Sequence, residues 1–314
     1  MRTIRGLVAL SVILLSAGSL RAADVDANLP NDAEVVLTLN LDQLLGSPVG
    51  RKYLRSTVEE ALKSNAQAQE ILKTLELDPL RDISRVTVAM TSAATDNGLA
   101  IVNGKFNRDK IAKLAEQVAA DRKDKFKIHK DGDTIIYEGI GDENKSVFAI
   151  FPTASTLLLS NNREMLRGSS KTGKPSRELV GLIEKVDGKQ TAWLVALPSV
   201  AGALPADNAD QKKALAQLEG VIGTLKVDTG ARLELNLLNK SPQGAMASNK
   251  LIVDLVNVAK LFAPNAIKEK PELTPLFDIV ASVRTVVRGK VLVVSGELSA
   301  AQLDKMIKQA LPAK

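Results

Sequence analysis

The sequence predicts an α+β protein: internally duplicated β-hairpin/helix units that build antiparallel sheets with helices packed on one face. Three observations predict it. A hairpin followed by a helix recurs at 85–120, 146–168, 221–262 and 282–311, and hairpins with returning helices make antiparallel sheets. The octet Glu76–Ile83, reading ELDPLRDI, returns at Glu272–Ile279 as ELTPLFDI, with six of eight positions identical at an offset of 196. At that offset Leu37–Leu41 returns as Leu233–Leu237, and at an offset of 192 Gly104–Lys113 returns as Gly296–Lys305. Three matches in one order argue for duplication.

The chain opens with Arg2 and Arg5, an apolar run Leu7–Leu15, small residues Ser16 to Ser19, and Ala22-Ala23 before the polar Asp24. A charged start, an apolar stretch and a small-residue exit describe a secretory signal peptide over residues 1–22, with cleavage after Ala22 or Ala23. The run is too short to span a bilayer comfortably. Removing Arg2, Arg5 and Arg21 leaves 39 basic against 36 acidic residues, a mature charge of +3. That balance gives no strong argument for nucleic acid. With no cysteine, disulfides, thiolate zinc sites and cysteine nucleophiles are excluded. A hydrophobic content of 45% supplies an ordinary core, and 3% aromatics is poor for stacking on bases or sugars. Leu251–Ala263, interrupted by Asp254, Asn257 and Lys260, is not apolar enough to cross a membrane.

In order, Ala33–Leu41 is a strand after the turn Pro30-Asn31-Asp32. Its Leu37, Leu39 and Leu41 alternate with Val36, Thr38 and Asn40, giving one buried and one mixed face. Ser47-Pro48 begins a helical region reaching Leu75. Asp78-Pro79 and Thr274-Pro275 each pair a capping residue with a proline, so both octets start a short turn with Leu80 and Leu276 buried. Arg85–Met90 and Leu99–Phe106 form a hairpin, and Asn107 caps the helix after it. Phe126–Lys130 and Thr134–Glu138 turn on Asp131-Gly132; Val147–Phe151 and Thr156–Ser160 make the next hairpin, before a helix at Asn162–Arg167. Residues 168–188, rich in Gly, Ser, Lys and Pro, divide a first half, 23–188, from a second, 189–314. Thr191–Leu197 is a strand with Trp193 in the core. The hairpin Val221–Val227/Arg232–Leu238 follows, then a helix from Ser241-Pro242 to Phe262. Ser282–Val287 and Lys290–Ser295 turn on Arg288-Gly289, and Ser299 caps the final helix.

The segment Pro30-Asn-Asp-Ala33-Glu-Val-Val36, a strand followed by a glycine-containing helix start, resembles exported bacterial proteins of the DUF3352-like type. The resemblance implies an extracytoplasmic α+β protein and carries no catalytic residues over.

Chemical motifs are few. Gly168–Lys174 nearly fits a phosphate-binding loop, but Pro175 follows where a serine or threonine should, and a helix precedes it where a strand is needed. It reads as a linker. Asp131-Gly132-Asp133 lacks the later calcium ligands and reads as a turn. His129, the one histidine, has no Gly-x-Ser-x-Gly elbow to serve and reads as a surface residue. No cofactor motif is present. Lys105–Lys130 carries nine cations against four acids. If Lys110, Lys113, Lys125 and Lys127 converge, they make an anion-binding patch for an acidic polymer or lipid head groups; otherwise they are a solvated face.

The sequence therefore points to a periplasmic or secreted, non-catalytic binding or scaffold protein. Its partner is an acidic polymer, an envelope component or another protein. The alternative is an extracytoplasmic hydrolase using carboxylates in a cleft between the halves. A broad apolar or basic surface supports the first, a pocket holding paired acids the second.

Overall fold

The computed structural model describes residues 22–63, 65–91, 97–141, 145–169, 174–203, 208–270 and 273–310. The leader, apart from Ala22, and residues 170–173 of the loop Gly168–Lys174 lie outside the described residues.

Strand β1 (Val35–Asn40) leads into α1 (Leu41–Gly46), a π-helical turn (Gly50–Leu54), α2 (Arg55–Lys63), α3 (Ala66–Leu75) and α4 (Pro79–Asp82). The hairpin β2 (Ile83–Met90)/β3 (Gly98–Gly104) enters α5 (Arg108–Asp121). Then come β4 (Phe126–Asp131)/β5 (Thr134–Ile140), β6 (Ser146–Thr153)/β7 (Thr156–Ser160), α6 (Arg163–Ser169) and α7 (Arg177–Ile183). Strand β8 (Ala192–Ala196), a 3-10 turn (Pro198–Ala203) and α8 (Ala209–Leu215) precede β9 (Leu218–Val227)/β10 (Ala231–Asn239). Helices α9 (Pro242–Glu269) and α10 (Thr274–Ser282), the hairpin β11 (Arg284–Arg288)/β12 (Val291–Leu298) and α11 (Ala300–Ala310) complete it.

Local chemistry explains most boundaries. The Asn107 and Ser241 side chains accept the Lys110 and Gly244 amides, capping α5 and α9. Gly132 and Gly289 hold φ of 59° and 58° in the β4–β5 and β11–β12 turns, a conformation that favours glycine. Two ends differ from expectation. Helix α9 runs past Phe262 to Glu269 with Pro264 inside it. Pro264 removes the bond its N–H would donate to Lys260. Ala266 and Ile267 beyond it are half-buried, and that packing carries the helix on. Helix α10 begins at Thr274, with Leu273 rather than Thr274 in the cap position.

The twelve strands form one antiparallel sheet in the order β11-β12-β10-β9-β8-β1-β2-β3-β7-β6-β5-β4. Both halves start at the centre and build outward: β1-β2-β3-β7-β6 on one side, β8-β9-β10-β12-β11 on the other. This places the repeat in a different register from the octets. The octet frame equates β1 with β10 and the hairpin β2/β3 with β11/β12. The order of elements agrees, but β1 lies beside the first strand of its hairpin and β10 beside the second. Sheet neighbours instead equate β1 with β8.

Cross-strand partners share a face, so the pairing sorts the side chains. Val36, Ala89, Ile101, Leu158, Val195 and Ile222 point to one face, where α6 and α7 supply Leu166, Leu179, Leu182 and Ile183 to the main core. The other face carries Leu37, Val88, Leu194, Leu235 and Val294. There α5 lies over the aromatic chain Phe106–Phe151–Tyr137–Phe126, with successive ring centroids 5.5, 6.2 and 6.3 Å apart. At the opposite end of that face Val49 and Tyr53, from the first half, pack with Leu298, Leu303, Met306 and Ile307 of the second. Lys52 joins this contact by reaching Asp304 at 2.6 Å. The helices thus pack against the sheet and divide between its two faces.

Leu80 is half-buried, whereas Leu276 is 56% exposed, against the expectation that it is buried. Its side chain leaves α10 away from the sheet, to which Ile279 is turned, close to Gly296. Trp193 is 6% exposed within the main core. Trp193→Ala is therefore expected to cost about 3–5 kcal/mol, measured by urea unfolding. A loss near that of a surface substitution contradicts the burial.

Candidate functional site

The only histidine sits where strand pairing concentrates polar groups. Glu138 on β5 lies opposite Lys127 of β4. Its Oε2 meets His129 Nε2 at 2.6 Å, and its Oε1 accepts the Ser146 hydroxyl at 2.7 Å. His129 is half-buried rather than free on the surface. The order of the three groups decides their chemistry. A nucleophile–base pair needs the serine hydroxyl on the imidazole. Here the carboxylate stands between them, so the histidine has no serine proton to take. The arrangement fastens β4, an edge strand, to β5 and β6.

The four lysines of the expected anion patch are spread over two sides of the sheet. Lys110 and Lys113 lie on α5, and Lys110 pairs with Glu76. Lys125 is exposed in the loop before β4. Lys127 alternates with Phe126 and Ile128, so it faces away from the aromatic side over which α5 packs. The structure brings Lys110 and Lys113 onto one helix and sets Lys127 beside Glu138 instead.

Four clefts open on the surface among the described residues. Two of them hold acids, Asp228 with Glu297 in one and Glu76, Asp82 and Asp109 in the other. Two more lie along the second half. One, of about 720 Å³, lies against the 3-10 turn and α8; its charged lining is Lys212 and Lys240. The second, of about 570 Å³, sits where the two halves meet over β9 and β10. It holds two carboxylates, Asp187 and Glu234, among Lys185, Lys226 and Arg232. Glu234 accepts the Asn236 side-chain amide at 2.9 Å, and Asp187 accepts the Lys189 backbone amide at 3.1 Å. Alternation in β10 carried the signal for this face: Arg232, Glu234 and Asn236 alternate with Leu233, Leu235 and Leu237.

The largest anomaly is apolar. Thirteen large apolar side chains are exposed among the described residues, and seven of them lie on α9 and α10. Leu255, Val258 and Phe262 recur at helical spacing, with Leu261 beside them at 75% exposure and Leu276 next door on α10. The inner side of α9 is already spent, since Gly244, Ala245 and Ser248 are its buried residues. A 28-residue helix has therefore placed more apolar surface than one packed side can cover. Large exposed apolar patches mark interaction sites. Among the described residues no helix is long and apolar enough to cross a membrane, α9 included. Reading Leu251–Ala263 for its failure to span missed this; plotted around the helix, the same residues show apolar side chains on both the inner and outer sides.

No family model matches the chain, and no curated protein matches it. A solved structure described as crystal form I of TP0453 is similar over 93% of this chain and 99% of that one, at 14% identity and a TM-score of 0.46.

Glu138 gives a test of the edge contact. The Ser146 hydroxyl first, then His129, hold its carboxyl below the usual glutamate range. A carboxylate with a depressed folded-state pKa adds stability above its unfolded value and loses it as pH falls through the folded one. The melting-temperature gap between wild type and Glu138→Gln should be full at pH 7 and close below about pH 4. A gap that widens in acid contradicts the contact.

Proposed function

We propose that the mature chain is an exported, non-catalytic binding or scaffold protein, periplasmic or secreted, that engages an envelope component through α9 and α10. The concentration of exposed apolar side chains on these two helices carries the reading. Export is supported by the leader pattern: the charged start, the apolar run Leu7–Leu15 and the small-residue exit. The halves 23–188 and 189–314 act as one platform in this reading. Lys110, Lys113, Lys125 and Lys127, set on two sides of the sheet, are solvated charges of that platform in this reading.

A photo-crosslinking residue at Leu261, in protein exported by the native host, should give adducts with envelope material. The same residue at the exposed Lys213 on α8 should give none. Equal labelling at both positions overturns the reading.

The hydrolase reading is favoured by one observation, the carboxylates Asp187 and Glu234 in a cleft where the halves meet. Under it, Asp187→Asn and Glu234→Gln would each abolish a hydrolysis detected in a panel of ester and glycoside substrates. Hydrolysis unaffected by both substitutions removes it.

A further inference from the structure

We infer that the apolar surface of α9 and α10 is a bilayer-contact surface, lying in the interface of a membrane rich in anionic lipid; this rests on the binding reading above. Three features select a lipid surface over a protein face. The first is breadth. With 3.6 residues per turn, the exposed Val253, Leu261, Val258, Phe262 and Leu255 are distributed over roughly 200° of the helix circumference, with Lys250, Asp254 and Asn257 interleaved among them. A helix docked on one protein face needs an apolar stripe of only about 100°. The boundary between head groups and acyl chains takes up apolar and charged side chains side by side, and can touch the whole arc.

Charge is the second feature. Residues 250–270 carry Lys250, Lys260, Lys268 and Lys270 against Asp254 and Glu269. Asp254 is taken by Lys250 at 3.3 Å. Lys260 and Lys268 make no ion pair among the described residues. Their long apolar stems can lie along the helix while the ammonium groups reach lipid phosphates. The third feature is that α9 does not qualify as a membrane span among the described residues. A helix with this much exposed apolar surface and interspersed lysines lies along an interface rather than crossing it.

Flotation of the mature protein with vesicles tests this. Binding is expected to phosphatidylglycerol/phosphatidylcholine vesicles at low salt, and to weaken in pure phosphatidylcholine. Val258→Ser/Leu261→Ser/Phe262→Ser, at exposed positions that leave the fold intact by circular dichroism, should reduce partitioning by about tenfold or more. Lys260→Gln/Lys268→Gln should reduce it by roughly tenfold on anionic vesicles and leave pure phosphatidylcholine unchanged. Lys110→Gln/Lys113→Gln/Lys125→Gln/Lys127→Gln should leave it unchanged. No partitioning of the wild type into anionic vesicles, or equal partitioning of the apolar triple variant, overturns the lipid assignment. A protein adduct at position 261 without vesicle binding removes the lipid and leaves the binding reading standing. Loss of both removes both.

Discussion

The pairing of β1 with β8 is the contact on which the rest of the molecule depends. These are the opening strands of the two halves, and they register Val35 to Leu39 against Ala196 to Ala192. Backbone bonds close both ends of the ladder: Leu197 N–H donates to Glu34 O and Asn40 N–H to Thr191 O, each at 2.8 Å. The ladder sits over the most buried side chains, with Val36 and Val195 inaccessible to solvent. Thr38 in the same strand bonds the Thr87 hydroxyl at 2.9 Å, so the one buried polar pair at this level is satisfied. One sheet with one central seam is the result, and each half adds strands outward from it.

Building outward has two consequences. It leaves β4 and β11 as edges, where unpaired backbone invites association. Both carry charges that discourage this: Lys127 and Lys130 on β4, Arg284 and Arg288 on β11. It also stretches the sheet beyond the reach of any single helical layer, so helices cover it in patches on both faces. Leu37, in the central strand, stays 44% exposed between those patches. Helix α9 packs on β10, β12 and β11 with one side, and Val253, Leu255, Val258, Leu261 and Phe262 stay exposed among the described residues. The proposed function grows from that surplus.

Much of this was legible in the sequence, and the limits have physical causes. Hairpins were readable because Asp131-Gly132 and Arg288-Gly289 specify left-handed turn residues between alternating strands. The caps Asn107 and Ser241 were readable because they act within three residues. The octets misled about register because their match is local, while the sheet is set by which strand finds β1. No local signal states that β8 does. The burial of Leu276 was inferred from likeness to Leu80, but α10 turns Ile279 to the sheet and leaves Leu276 outside. The lysines of 105–130 could be counted but not placed, since alternation sends Lys127 to the face that α5 does not cover. The surplus on α9 was present in Leu251–Ala263 and becomes visible only when the helix's buried side is known.

Native-state hydrogen exchange followed by urea tests the central seam most directly. The amides of Asn40 and Leu197 should exchange among the slowest in the protein and only through global unfolding, with β3 and β10 opening in the same cooperative transition. Separate transitions for the two halves, with Asn40 and Leu197 exchanging early, would show two independent units resting side by side and contradict the single platform from which α9 projects.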